Sequence, residues 1–286
     1  MKRLFPPLLA LELLAAGGAF AQPLLLPPPR DALVRGRFSL DLEPSVASAD
    51  AFVDRLGQSQ KFPGSLRFTD LFVVASWSPV SHFALAAAGT FRWSRYAPDA
   101  AASALTASGV SGAGVLALWS PSAADSALPL TFRVGYMTAP GESDRFLTVR
   151  DGIDRIQFGF HLESSPRALS RWRGFFDAGV DSGFEEKDRP RFYDIWSRLE
   201  VGPCVGTLLG GQLSILASIG ARLASGAPQE GLVFNREQAR NGFVGPVIRL
   251  EGLDGWAAAI SGTWDVFAVH NSLKGWRVAA AVRRVL

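Results

Sequence analysis

The chain has only one cysteine, Cys204, and three histidines, His82, His161 and His270, among its 286 residues. A single cysteine cannot form an intrachain disulfide bond, and no group of His and Cys residues has the spacing of a metal site. The chain also has no G-x-S-x-G motif, no glycine-rich phosphate-binding loop and no repeated module. The sequence therefore predicts no cofactor and no metal, and it favours a protein that is not an enzyme.

Net charge is also small. The formal charge is +3 at pH 7, and it is +2 once residues 1–21, with Lys2, Arg3 and Glu12, are removed. The basic residues are spread along the chain and form no patch, so nucleic acid is not an expected partner. The hydrophobic content of 48% and the mean hydropathy of +0.16 are below the values usual for bundles of spanning helices.

The first 21 residues have the organisation of a signal peptide. Lys2 and Arg3 give a basic start, an apolar stretch follows, and Ala19-Phe20-Ala21 is an A-x-A cleavage pattern before Gln22. The apolar stretch is too short and too interrupted for a spanning helix, which needs about 20 apolar residues. Three parts are expected: a signal peptide (1–21), a proline-rich periplasmic leader without packed structure (22–34) and one domain (35–286).

Alternating apolar and polar residues dominate the rest of the chain. This period of two predicts strands, because successive side chains then point to opposite faces. Twelve strands of 10 to 14 residues are predicted, at 35–46, 67–78, 81–94, 109–119, 128–139, 153–163, 172–181, 192–203, 211–223, 243–252, 255–267 and 274–285. Their lengths suit strands that cross a bilayer with a tilt of about 45°. The alternation is weakest in the second and fourth strands.

The connections between these strands alternate in length. Odd-numbered connections have 6 to 20 residues and even-numbered ones have 2 to 8. Long outer loops and short periplasmic turns are typical of closed antiparallel barrels in bacterial outer membranes. Twelve strands also return both termini to one side, which we expect to be the periplasm.

Two other folds also use apolar segments of this kind. A helical bundle is less suitable because segments such as 155–163 interleave charged and aromatic residues. A helix would spread those charges around its circumference, at about 2.5–3.5 kcal/mol for each charge at the bilayer centre. A secreted β-sandwich has alternating strands too, but they average about five or six residues. We therefore predict an all-β fold with a single closed antiparallel transmembrane barrel of about 12 strands.

At the level of this pattern, residues 35–286 resemble bacterial outer-membrane β-barrel proteins. Members of that class commonly end in an aromatic residue that follows alternating apolar positions. Here Trp276, Val278, Ala280 and Val282 keep the alternation, Arg284 interrupts it, and Leu286 stands at the end. The resemblance implies that outer-membrane lipid and the barrel-insertion machinery are partners.

Charged residues on the inward face are the candidate functional residues. The predicted lumen-lining set contains both signs: Arg37, Asp41, Glu43, Arg92, Arg133, Arg155, His161, Glu163, Arg173, Asp177, Asp194, Arg198, Glu200, Arg222, Arg249, Glu251, Asp265 and Arg277. A lumen of twelve strands lies between the filled eight-stranded barrel and the open sixteen-stranded one. The set therefore predicts either a narrow channel for small polar solutes or an interior that ion pairs fill. The alternative function is a non-conducting barrel that anchors or docks periplasmic or envelope-complex proteins.

Aromatic residues near the strand ends suit the girdles that hold a barrel at the level of the lipid headgroups. The predicted interface aromatics are Trp77, Trp93, Trp119, Trp172, Trp256 and Trp276. Between the first two strands, the connection 47–66 is expected to hold a short helix that Ser48 caps and Gly57 ends.

Two combinations carry the weaker hypothesis of a barrel-embedded, lipid-directed hydrolase. His161 and Glu163 lie two residues apart, so they share a strand face and are able to form an acid–base pair. His270-Asn271-Ser272 contains the residue types of an acyl-transfer site. Adjacent residues do not easily reach the geometry that such a site needs, so no catalytic residue is assigned.

Overall fold

The computed structural model describes residue 26 and residues 33–53, 58–98, 103–121, 129–138, 154–164, 171–183, 193–225, 239–269 and 272–286. The predicted signal peptide lies outside these residues. In the described part of the chain, no helix is long and apolar enough to cross a membrane.

Twelve strands form one closed antiparallel barrel in which each strand pairs with its sequence neighbours. The predicted fold class is therefore confirmed, including the weakly patterned second and fourth strands. The strands are β1 Phe38–Val53, β2 Ser59–Val80, β3 Phe83–Pro98, β4 Leu105–Trp119, β5 Leu130–Thr138, β6 Arg155–Glu163, β7 Trp172–Gly183, β8 Tyr193–Leu208, β9 Gly211–Ser225, β10 Ala239–Leu253, β11 Trp256–Val269 and β12 Ser272–Val285.

The first and last strands close the cylinder. β1 pairs with β12 from Ser39 opposite Val285 to Val53 opposite Ser272. Two backbone bonds extend this seam: Leu286 N donates to Phe38 O at 2.8 Å, and Phe38 N donates to Leu286 O at 3.2 Å. In the described part of the chain, closure therefore leaves no edge strand. A lipid environment offers the backbone amides of an edge strand no other partner.

Alternation along each strand separates an apolar outside from a polar inside. On β1, Phe38, Leu40 and Leu42 are exposed, whereas Ser39 and Asp41 are buried. β8 and β9 repeat the pattern with exposed Ile195, Leu199, Ile215 and Ile219. The exposed apolar side chains thus cover the outer wall, as the period of two predicts.

The short connections, the start of β1 and the end of β12 lie at one end of the barrel, which we call the turn end. The opposite end is the loop end. Leu209-Gly210 and Asp254-Gly255 form two-residue turns in which every φ is positive, between +42° and +85°. This geometry is that of type I′ turns, whose twist matches that of the flanking strands, and it explains a glycine at each second position.

The expected helix between the first two strands is wrong. Residues 48–53 continue β1, and Ala51, Phe52 and Val53 pair with both β2 and β12. A helix of about two turns would leave four amides and four carbonyls at its ends without intrahelical partners. Strand pairing supplies partners on two sides, so the strand extends almost to the tip of the hairpin.

The leader was expected to have no packed structure, but two of its residues are packed. Leu26 is 2% exposed and lies in an apolar cluster inside the barrel with Phe175, Leu216 and Val247. Leu33 is buried against Ala84 and Leu118 near the turn end. Apolar residues on the inner wall provide the surface for these contacts.

Candidate functional site

The interior of the barrel holds almost all of the predicted lumen-lining residues. Eleven are buried: Asp41, Glu43, Arg92, Arg155, His161, Arg173, Asp177, Asp194, Arg198, Glu200 and Arg249. Six are half-buried: Arg133, Glu163, Arg222, Glu251, Asp265 and Arg277. Arg37 differs from the others because it precedes β1 and is exposed at the turn end.

A chain of ion pairs crosses the interior from β6 to β10. His161 Nδ1 lies 2.8 Å from Asp177 Oδ1, and Asp177 Oδ2 accepts from Arg198 Nη2 at 3.2 Å. Arg198 Nε lies 3.2 Å from Glu200 Oε1, and the other oxygen of Glu200 accepts from Arg249 Nη2 at 2.6 Å. The charges of both signs therefore compensate one another where water is scarce.

Further pairs extend this network over the inner wall. Arg173 on β7 contacts Glu163 at 3.0 Å and reaches across the lumen to Glu251 on β10 at 2.7 Å. Arg222 binds Asp194 through its Nε at 2.9 Å. These contacts hold long side chains in place and narrow the lumen.

Sequence analysis missed several inward residues. Asp70 accepts two hydrogen bonds from Arg92, at 2.7 and 2.9 Å, and Arg283 pairs with Asp41. Trp196 faces inward under the guanidinium of Arg133, 4.5 Å from the ring centroid. Trp196 lies two positions from both Asp194 and Arg198, and Arg283 lies six positions from Arg277, so each shares a strand face with inward residues. Alternation alone is therefore a sufficient signal for both.

Phe175 is the aromatic centre of the network. The guanidinium carbons of Arg249 and Arg173 lie 4.3 and 5.3 Å from its ring centroid, and the ring of His161 stacks on it at 6.1 Å. The same ring belongs to the apolar cluster with Leu26. Phe175 thus joins the ion-pair network to an apolar layer nearer the turn end.

A cavity of about 160 Å³ lies beside this network. Arg198 and Glu200 form one side of it, and inward residues of β1, β9, β10, β11 and β12 form the other. Many residues of that second wall are small, among them Ala47, Ala49, Ser218, Ser261 and Ala279. Small side chains opposite large ones leave open space in an otherwise filled interior.

The apolar layer borders this cavity on the side of the turn end. Val247 and Ala279 line the cavity and also belong to the cluster that contains Leu26. Asp265 and Gly275 line it nearer the loop end. The open space is therefore a compartment with both charged and apolar walls, and the apolar layer to which the leader contributes bounds it towards the turn end.

Tryptophans mark two levels on the outer wall. Trp77, Trp119, Trp172 and Trp256 are exposed near the turn end, and Trp93 and Trp264 are exposed nearer the loop end. Trp276 is half-buried and lies opposite Trp264. On β11, Trp256 and Trp264 are eight residues apart, which is about 27 Å at about 3.4 Å per residue. Tilting by about 40° shortens that span to about 20 Å, near the height of an apolar barrel belt.

The residues proposed for hydrolysis do not form a catalytic arrangement among the described residues. His161 pairs with Asp177, and Glu163 pairs with Arg173 instead of His161. His161 is also buried in the interior, away from the lipid-facing wall. Ser272 begins β12, whereas His270 and Asn271 lie outside the described residues.

The chain matches no protein-family model and no curated protein sequence. Its fold, however, is similar to solved structures. An outer membrane channel from Pseudomonas putida F1 has a TM-score of 0.71 at 13% identity, over 91% of this chain and 99% of that one. The β domain of the Bordetella autotransporter BrkA has a TM-score of 0.52 at 12% identity, over 88% and 100%. The transport unit of the autotransporter AIDA-I from Escherichia coli has a TM-score of 0.52 at 8% identity, over 97% and 96%.

These similarities establish the structural class. The fold is that of bacterial outer-membrane β-barrels, as the sequence pattern had indicated. The identities are too low to carry a residue role or a solute from those proteins to this one, so the function has to be argued from the interior of the barrel.

Proposed function

We propose that this protein is an outer-membrane barrel that forms a narrow channel for small polar solutes. The observation that carries the proposal is the cavity that the charged residues Arg198, Glu200, Asp265 and Arg277 line together with small residues of β1, β9, β11 and β12. A barrel whose only role was to fill its own interior would have larger side chains on that wall, because protein interiors are close-packed. The channel fold of the Pseudomonas putida protein supports the same conclusion.

The proposal includes an orientation. The exposed tryptophans would lie at the two headgroup levels, the turn end and both termini would face the periplasm, and the longer connections would face outward. Outer-membrane lipid and the barrel-insertion machinery would be the partners during assembly. Channels work without a reacting group, so this function requires neither a cofactor nor a catalytic residue.

Single-channel recording tests the proposal. The purified protein in planar bilayers should give stepwise currents that are small for an outer-membrane pore, because the ion pairs occupy most of the cross-section. Circular dichroism confirms that the inserted protein has folded strands. If such protein gives no stepwise current with any of several salts, the result would contradict a channel. A lumen wide enough to pass large sugars would contradict a narrow one.

A second candidate is a non-conducting barrel that anchors or docks part of an envelope complex. The apolar layer with Leu26 favours it, because this layer blocks part of the cross-section near the turn end. Two results together would support this candidate over the channel. The inserted protein would give no current in planar bilayers, and crosslinking at the turn end would reproducibly recover one periplasmic protein.

A further inference from the structure

Two oppositely charged side chains stand side by side on the cavity wall without pairing with each other. Arg277 on β12 lies opposite Thr263 on β11, so Asp265 is its diagonal neighbour on the same inward face. Diagonal neighbours in an antiparallel pair are about 7–8 Å apart. Among the described residues, no ion pair joins Asp265 to Arg277, and the space between them belongs to the cavity.

Each of the two is incompletely paired. Asp265 accepts a hydrogen bond from Gly275 N at 3.0 Å. The charges of Arg222 and Lys274 act on it, but Arg222 is bound directly to Asp194. Arg277 donates to Ser45 Oγ at 3.0 Å, and its ion pair with Glu43 Oε1 is long, at 3.7 Å. Most other inward arginines have a carboxylate at 2.5–3.2 Å. Incomplete pairing of charges in a confined interior is costly, and a bound group that pairs with them would remove the cost.

The cavity wall also contains unsatisfied hydrogen-bonding groups. Ser218 is 1% exposed, and its Oγ has no hydrogen-bond partner among the described residues. Glu200 Oε1, which lies in the ion pair with Arg198, accepts no hydrogen bond there. Both residues line the cavity. Buried polar atoms of this kind usually contact a water or a ligand.

We infer that this cavity is a binding site for a small zwitterion, such as a free α-amino acid, on the route through the channel. The ammonium group of the solute binds Asp265, and its carboxylate binds Arg277, with the hydroxyls of Thr263 and Ser218 completing the shell. The inference rests on the proposed function, since it names the class of polar solute that this site selects.

The charges of the site favour a zwitterion over the other classes of small solute. An anion would pair with Arg277 but bring its charge towards Asp265, and a cation would do the reverse. A neutral polyol would leave both charges incompletely paired. A zwitterion carries both complementary charges a few ångströms apart and no net charge, so it enters a confined space at the lowest electrostatic cost.

Four solutes with the same three-carbon skeleton test this inference: L-alanine, lactate, 1-amino-2-propanol and propane-1,2-diol. Binding of each to the full protein in detergent is measured by titration calorimetry. L-Alanine should bind at least roughly tenfold more tightly than each of the other three, because it alone forms both charge-assisted contacts. Equal affinities, or tighter binding of the diol, would overturn the inference, and this comparison needs no variant.

Two variants locate the site. Asp265→Asn should remove the preference for L-alanine over lactate, and Arg277→Gln should remove its preference over 1-amino-2-propanol. The matched controls are Asp254→Asn, in the exposed turn between β10 and β11, and Arg95→Gln, exposed on β3. The controls should keep the wild-type preference. Loss of selectivity in the controls, or its full retention in folded Asp265→Asn and Arg277→Gln, would contradict a site at these residues.

Flux separates this inference from the proposed function. Uptake of labelled L-alanine and lactate is measured in proteoliposomes and corrected with protein-free vesicles. Selective binding without flux would refute the channel and leave the binding site standing. Equal flux of both solutes would support the channel and refute the zwitterion selectivity.

Discussion

Pairing between guanidinium and carboxylate groups dominates the interior at the scale of single residues. Arg249 is 0% exposed and Glu200 is 1% exposed, and they are joined by two hydrogen bonds of 2.6 and 2.9 Å. Neither charge has access to bulk water. Their value to the fold therefore depends on both partners being present.

Glu200→Gln should destabilise the barrel by about 3–5 kcal/mol, because Arg249 then keeps its charge without a carboxylate partner. Replacing both residues by apolar side chains, as in Glu200→Leu with Arg249→Met, should cost much less than the single change. Urea unfolding of lipid-embedded protein, followed by tryptophan fluorescence, measures both. The free energies of unfolding of Glu200→Leu and Arg249→Met alone are measured too. If the double variant loses as much stability as these two single variants together, the pair is not coupled.

On the outer wall, which faces lipid, apolar side chains are favourable and charged side chains are costly. Ile260 is 58% exposed and lies midway between Trp256 and Trp264 on β11. Ile260→Arg should cost roughly 2–4 kcal/mol if that level is the bilayer midplane. Val266→Arg, on the same face beyond Trp264, should cost about 0–1 kcal/mol. Equal losses at the two positions in the same unfolding assay would contradict the assigned depth.

At the scale of the elements, the sequence predicted all twelve strands but made several of them too short. β2 begins at Ser59 instead of 67, and β8 ends at Leu208 instead of 203. Alternation weakens towards the strand ends because consecutive residues are exposed there, as at 59–61 in β2 and at 205–208 in β8. Hydrogen bonding to a neighbouring strand continues past that point. Because this pairing depends on both strands, the pattern of one strand alone does not predict where it stops.

Close contact between strands also depends on positions without a side chain. Gly245 on β10 is buried, and a Cβ there would collide with the backbone oxygen of Gly262 on β11. Gly245→Ala should therefore cost roughly 1–3 kcal/mol, because two paired backbones would have to separate. Gly89→Ala is the matched control, since its new methyl would meet no atom nearer than 4.0 Å. Similar unfolding free energies for the two variants would argue against this close approach.

The interior of the whole molecule is shared between the barrel wall and the leader. Leu26 belongs to the cluster that contains Phe175, Leu216 and Val247, and this cluster borders the cavity. Its carbonyl oxygen lies 3.5 Å from Arg283 Nη2. The open cross-section of the lumen near the turn end thus depends on Leu26, which belongs to the leader and not to a barrel strand.

Leu26→Gly should increase the single-channel conductance, because it removes the side chain that fills the apolar layer. Val34→Gly is the control, since Val34 is in the same leader but is exposed. Conductance in planar bilayers is the measurement. A Leu26→Gly protein with wild-type conductance would mean that the leader does not narrow the pore.

The sequence by itself determined the class of fold, the outward and inward faces and most of the charged residues inside, because a period of two assigns each side chain to a side of the wall. Only the tertiary structure decided which charges meet. Arg173 pairs with Glu251, 78 positions away, across the lumen. It also decided that Asp265 and Arg277 stay apart, that small residues gather on one wall and that Leu26 enters the interior. Those facts depend on the circumference and register of a closed sheet, which arise only when distant strands pair.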